Sequence, residues 1–150
     1  VIDTYARRIV GWRVSRSAHA GFVLDALEQA IHDRKPASGC GLVHHSDRGS
    51  QYAANDYRGV LTARGFTVSM SRKGDCWDNS PMESANGTVK VECVNDEHFK
   101  TRAEAERAIV EYIGYYNTER RHSALGNISP AEFERRWYVD TNQKKKNKSK

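Results

Sequence analysis

The chain has 150 residues, 38% of them hydrophobic and 29% charged, enough for one domain with a real core, since a chain of this size buries roughly 68% of its unfolded surface. That balance excludes fibrous, mucin-like and wholly disordered classes. The formal charge of +5 sits at the end: Lys144, Lys145, Lys146, Lys148 and Lys150 follow the last acid, Asp140, and removing these five from the 24 basic side chains leaves 19 against 19 acidic ones.

A neutral body, 1–140, with a basic tail, 141–150, has two readings for the tail: a salt-sensitive phosphate contact or a solvated disordered end. Cys40, Cys76 and Cys93 form no Cys-x-x-Cys pair, so neither a disulfide framework nor a zinc knuckle is encoded, and a reducing cytoplasm fits. No run approaches the roughly 20 apolar residues of a membrane span. The chain starts on strand-like residues without Met, which implies that it begins inside a larger protein or gene.

In chain order, Val1–Asp3 and Arg8–Val14 read as a hairpin around a turn at Thr4–Arg7. From Ser17, an N-cap residue type, Ala20, Val23, Leu24, Leu27 and Ile31 recur at helical spacing up to Pro36. Gly41–His44 reads as a short strand, Ala53–Arg64 as a helix stopped by Gly65, and Phe66–Met70 as a strand. Three later helices carry capping boxes, a hydroxyl residue three before a Glu: Ser80 with Glu83, Thr101 with Glu104, and Ser129 with Glu132. The middle one places Ala105, Ala108, Ile109, Tyr112, Ile113 and Tyr116 on one face, expected to be core rather than a base-stacking platform. Hairpin, helix, strand, helix, strand and then helices describe an α/β architecture, a mixed sheet covered by helices. The Ser71–Ser80 loop is the connection long enough to act as a mobile flap.

Asp47 follows a strand, a common place for function in α/β folds, and Glu83 lies in the first turn of a helix. The 35 residues between them suffice for a helix and a strand to fold back and bring the two acids together. Such a pair suits Mg²⁺ or Mn²⁺, which prefer oxygen ligands. The plain alternatives are a turn aspartate beside Gly49 and a capping glutamate. His44 and His45 lack a third metal-ligand partner and read as structural hydrogen-bonding groups.

The ordered motifs His45-Ser46-Asp47-Arg48-Gly49-Ser50-Gln51-Tyr52, Ser69 to Gly74, Asp78-Asn79-Ser80-Pro81-Met82-Glu83-Ser84, Tyr115-Tyr116-Asn117, Arg120 to Leu125 and Ser129-Pro130-Ala131 resemble bacterial insertion-sequence transposases with a retroviral-integrase-type catalytic core. The likeness runs from Val1 to about Trp137. It implies a ribonuclease H-like fold with an Asp, Asp, Glu triad, in which Asp47 matches the second acid and Glu83 the third. The family's first Asp lies on a strand upstream of the part resembled here; Asp3 matches a hairpin acid instead. The fold is therefore expected without its first strand and with extra C-terminal helices. Ala85 departs from the large aromatic usual at its position.

The resemblance further implies two Mg²⁺ (or Mn²⁺) ions, DNA as transposon end and target, and self-association. Lys90, Arg72, Lys73, Asn79, Arg120, Arg121 and His122 are the candidate DNA contacts, with Gly87 allowing close approach; Cys76 and Trp77 could touch DNA from the flap, Trp77 alternatively pinning the loop to the core. The expected function is DNA cleavage and strand transfer in bacterial cytoplasm, inactive in a chain without the first acid. The alternative is a noncatalytic DNA-binding or oligomerisation remnant that interferes with an intact transposase.

Overall fold

The computed structural model describes residues 1–15, 20–72, 76–95 and 97–148; Ser17, Lys73 and Gly74 lie outside them. The elements are β1 (Ile2–Asp3), β2 (Arg8–Ile9), α1 (Ala20–Arg34), β3 (Val43–Ser46), α2 (Ser50–Ala53), α3 (Asn55–Ala63), β4 (Thr67–Met70), α4 (Ser80–Val89), α5 (Arg102–Thr118) and α6 (Pro130–Lys148). Single turns at Cys76–Asn79, Lys90–Val94 and Ser123–Leu125 join the later helices. The architecture is mixed α/β, its described strands pairing as β1 with β2 and β3 with β4. The chain divides into two compact units, Val1–Ile2 with Val10–Gly87, and Asp3–Ile9 with Thr88–Lys150.

In the first unit, the four-residue spacing of Val23, Leu27 and Ile31 puts them on one stripe of α1, where all three are buried with Tyr57, Leu61 and Phe66. Fully burying one such side chain stabilises by about 1.5–3 kcal/mol. Lys35 closes the last turn of α1 by donating to Ile31 O at 2.9 Å, and Pro36 prevents continuation. The helix expected over Ala53–Arg64 is α3, which starts two residues later because Ala54 takes an extended ψ of 140° and separates it from the short α2 before it. The end of α3 is a Schellman-type turn: Gly65 has φ +69°, Gly65 N–H donates to Thr62 O, and Phe66 N–H donates to Leu61 O at 3.0 Å. The turn delivers Phe66 into the core.

β3 and β4 pair in parallel with Val43 opposite Thr67 and Ser46 opposite Met70. The first of these strands lies two residues later than Gly41–His44, the range expected from sequence. The reason is that pairing with Thr67–Met70, not local propensity, selects which residues enter the ladder.

In the second unit, Thr101 caps α5 by accepting from Glu104 N–H at 3.2 Å, while Glu104 Oε2 accepts from Lys100 N–H at 2.9 Å. Ser129 stands before α6 and accepts from Glu132 N–H at 3.4 Å. Ser80, in contrast, is the first residue of α4 and not the one preceding it. Ile113 and Tyr116 of α5 are buried. Asn117 grips β2 through both halves of its amide, its Oδ1 accepting from Ile9 N–H and its Nδ2 donating to Ile9 O, each at 2.9 Å. Arg8 pairs with the buried Glu134 of α6 at 2.5 Å. α6 carries the helix through the lysine-rich segment to Lys148.

Gly11 shows how closely its strand-like segment lies against α1: a Cβ there would be 2.0 Å from Ala26 O, a backbone atom that cannot swing aside. Gly11→Ala is therefore expected to cost about 1–3 kcal/mol, the scale of overpacking. Urea denaturation showing an unchanged midpoint would contradict this.

Candidate active site and nucleic-acid interface

The first unit places Asp47 immediately after β3. Its Oδ1 accepts from Gly49 N–H at 2.8 Å, an Asx-turn that leads the chain into α2. The side chain stays exposed. Glu83 is the fourth residue of α4 and is also exposed. Ala85, two residues on, is buried at 3% relative exposure, so α4 is seated by a small side chain. Gly87 faces open space. Both candidate ligands thus offer carboxylate oxygens, the donor type that Mg²⁺ and Mn²⁺ prefer. Among the described residues no group of three His, Cys, Asp or Glu side chains converges to hold an ion.

The strand ends beside Asp47 are tied by polar bonds. His45 Nδ1 meets Ser69 Oγ at 2.9 Å and Nε2 meets Ser71 Oγ at 3.1 Å. Arg48 Nε donates to Ser71 O at 2.8 Å, and Ser71 N–H donates to Ser46 O at 2.9 Å. His44 Nε2 pairs with Tyr57 Oη at 2.9 Å. Burial pushes His44 down to about 4, so its ring is neutral at pH 7, and burial likewise raises the Tyr57 hydroxyl. Both histidines are thus engaged in hydrogen bonds between elements of the sheet and helix layer.

Arg72 makes a threefold contact with Asp78: its N–H and Nε donate to Oδ2 at 2.8 and 3.1 Å, and a terminal nitrogen donates to Oδ1 at 3.0 Å. Those hydrogen bonds hold the Asp78 carboxyl at about 2. The contact spans the loop that leads to Asn79, which ends the turn before α4. Trp77 is 82% exposed, so it does not pin the loop by burial.

In the second unit, Lys90 opens the turn Lys90–Val94 and is exposed, as is Arg121. Arg120 is committed to Glu92, with Nε to Oε2 at 2.8 Å and a terminal nitrogen to Oε1 at 2.6 Å. Tyr112 Oη donates to the same carboxylate at 2.6 Å. The guanidinium holds Glu92 at about 2, and Glu92 in turn raises Arg120. Arg120 also lies 5.8 Å from the Tyr116 ring centroid. His122 packs edge-on against Tyr116 at 4.7 Å, and its Nε2 is buried without a hydrogen-bond partner. Sequence reasoning assigned no contacts to Arg48, Ser71, Asp78 or Glu92; Glu92 and Arg120 stand 28 positions apart, and no local spacing links them.

The frame that carries these residues is a mixed α/β fold with a strand-end aspartate and a helix-borne glutamate. Two models described as "Integrase core domain" match residues 1–76 and 64–130. The chain is 44% identical over 139 residues to the transposase for insertion sequence element IS629 of Shigella sonnei, covering 93% of this chain and 46% of that protein. It is 46% identical over 135 residues to the transposase for IS904 of Lactococcus lactis subsp. lactis (strain IL1403), covering 89% and 53%. The chain therefore belongs to the integrase core family of insertion-sequence transposases, and it spans about half the length of these curated relatives.

Solved structures agree on the fold. The catalytic core domain of BIV integrase superposes with a TM-score of 0.63 at 18% identity, over 96% of this chain and 86% of that one. The simian T-cell lymphotropic virus intasome in complex with PP2A regulatory subunit B56 gamma gives 0.62 at 12% identity, over 79% and 41%. The fold is the ribonuclease H-like integrase core with extra C-terminal helices. No helix among the described residues is long and apolar enough to cross a membrane.

The Asp78 carboxyl has a depressed folded pKa, so its ion pair with Arg72 is complete above the ordinary carboxylate range and is lost as pH falls toward 2. Carboxyl carbon shifts followed through an acid titration are expected to place Asp78 near 2, and Arg72→Gln is expected to return it toward about 3.9. An Asp78 midpoint near the ordinary value in the unmodified chain would show that the pair does not persist in solution.

Proposed function

We propose that this chain carries the DNA-cleaving and strand-joining site of a bacterial transposase, acting in the cytoplasm on element ends and target DNA and assembling with further copies of itself. What supports the reading is one combination: Asp47 at a strand end and Glu83 on a helix, with 35 residues between them, inside a member of the integrase core family. Asp47 and Glu83 would hold Mg²⁺ or Mn²⁺. Such ions, when bound, activate water or a DNA 3′-hydroxyl and stabilise the leaving oxygen in phosphoryl transfer.

The protein's own side chains do the positioning. Lys90 and Arg121 are exposed and suited to phosphate. Arg72 and Arg120 already hold Asp78 and Glu92, so a phosphate contact by either requires exchange of one anion for another. Lys73, which lies outside the described residues, Asn79 and His122 complete the proposed set of DNA contacts. Residues 1–140 form the catalytic core in this reading, and 141–150 a basic segment that adds nonspecific phosphate attraction.

Two divalent ions roughly 4 Å apart repel strongly, and offsetting that repulsion needs more negative ligand charge than Asp47 and Glu83 supply. As a 150-residue polypeptide, the chain is thus expected to nick supercoiled plasmid at least about 100-fold more slowly than a version extended by an Asp-bearing strand, the cost of about 1 Å of misplacement. Asp47→Ala or Glu83→Ala should abolish the activity of the extended form. Metal-independent, salt-sensitive DNA binding with no nicking by the extended form would favour the noncatalytic remnant instead.

Removing residues 142–150 should reduce the salt slope of DNA binding by up to about 4.5 if all five lysines engage phosphate. An unchanged slope across a salt titration would mark the segment as solvated only.

A further inference from the structure

The outer half of α6 carries an aromatic patch that neither the core nor the proposed metal site uses. Tyr138 is 57% exposed, Trp137 45% and Val139 42%, and Tyr5 of the β1–β2 turn joins them at 58%. The rings stand edge to face: Trp137 and Tyr138 have centroids 5.0 Å apart at 78°, and Tyr5 and Trp137 6.4 Å apart at 74°. Phe133 supports Tyr5 from below at 5.2 Å and 60°. The hydrogen-bonded clamp of Asn117 on Ile9 and the Arg8–Glu134 pair hold the turn that carries Tyr5 in this unit.

In an edge-to-face pair one ring's edge covers a single face of the other, so the opposite faces of the exposed rings remain for another flat π-system. A packed protein core would be expected to bury these faces, yet the outward rings here keep about half their area in water. Beyond them, α6 changes character. Lys144 follows Trp137 by seven residues, which returns it to the same helix face about 10 Å further along the axis, and Lys144 and Lys146 are exposed with no acid after Asp140. Aromatic faces followed by cations on one helix match the two recurring needs of a single-stranded nucleic acid, a surface for a base and a charge for a phosphate. The cationic run makes a polyanion the complementary occupant and disfavours a second copy of the same basic helix lying alongside.

We propose that the patch formed by Tyr138 and Trp137 of α6 with Tyr5 is a stacking platform for unpaired DNA bases, with Lys144 engaging an adjoining phosphate. The proposal rests on the reading that this chain acts on DNA. It adds a distinct substrate feature, an unpaired stretch beside the reacting strand, such as a frayed or flanking end. Duplex DNA, whose base faces are stacked on each other, offers this patch nothing to hold; it meets only the lysines.

The test uses the full 150-residue chain with a fluorescently labelled oligothymidylate and a labelled duplex of the same length, followed by anisotropy at two salt concentrations. Tyr138 is the residue to change because its exposed ring contributes little to folding. Tyr138→Ala is expected to weaken oligothymidylate binding about 5- to 150-fold, the range for loss of one stacked base, and to leave duplex affinity within about twofold. Tyr138→Phe, which keeps the ring, should bind as the unmodified chain does. Equal loss for both DNAs, or no loss for either, would overturn the platform while leaving DNA as partner. Failure of the unmodified chain to bind either DNA would sink the platform and the DNA reading together. A shift in sedimentation from dimer to monomer on Tyr138→Ala, with DNA binding unchanged, would assign the patch to self-association instead.

Discussion

The parallel pairing of β3 with β4 is the constraint on which the first unit depends. Parallel neighbours cannot be joined by a tight turn and need a crossover, which α2 and α3 supply. Once those helices cover the pair, Tyr57 and Leu61 must meet an apolar partner, and the Val23, Leu27 and Ile31 stripe of α1 provides it. The same parallel sense sends the carboxyl ends of both strands out on one side. Asp47 and the Ser71–Arg72 segment consequently emerge together, joined by Ser71 N–H to Ser46 O at 2.9 Å. The position of the candidate site is thus a by-product of how the core is closed.

The polar groups near that edge follow from the same geometry. Ser46 and Ser71 are buried, and a buried hydroxyl or carbonyl without a partner is costly. His45, Arg48, Ser69 of β4 and Ser71 just beyond it, with the Ser46 carbonyl, satisfy one another across the strand ends. This gives Asp47 a braced backbone on one side while its carboxylate stays open to water. A metal ligand benefits from that combination, because its support must be rigid and its oxygens accessible.

Charge is arranged in closed pairs more than in open patches. Arg72 with Asp78 and Arg120 with Glu92 are multiply hydrogen-bonded, and both carboxyls are pulled well below their usual range. Such pairs resist losing a partner but accept replacement by another anion of similar geometry, which is what a phosphate offers an arginine. The exposed Lys90, Arg121, Lys144 and Lys146 differ: they hold no carboxylate among the contacts described.

The amino-acid sequence by itself determined the helix stripe of α1, the stop at Pro36, the turn at Gly65, the capping hydroxyls of Thr101 and Ser129, and the family, because each is written in neighbouring residues or in motifs of fixed order. The placement of Asp47 after a strand and of Glu83 in a first helical turn was likewise legible. Only the tertiary structure decided that β3 begins at Val43, since a ladder's register depends on the partner strand. It also decided that α2 and α3 break at Ala54, that Arg120 is occupied by Glu92, that Gly11 leaves no room beside Ala26, and that the aromatic rings of α6 stay exposed. These are matters of which distant surfaces meet. Local spacing contains no distance between residues far apart in the chain, and packing supplies it.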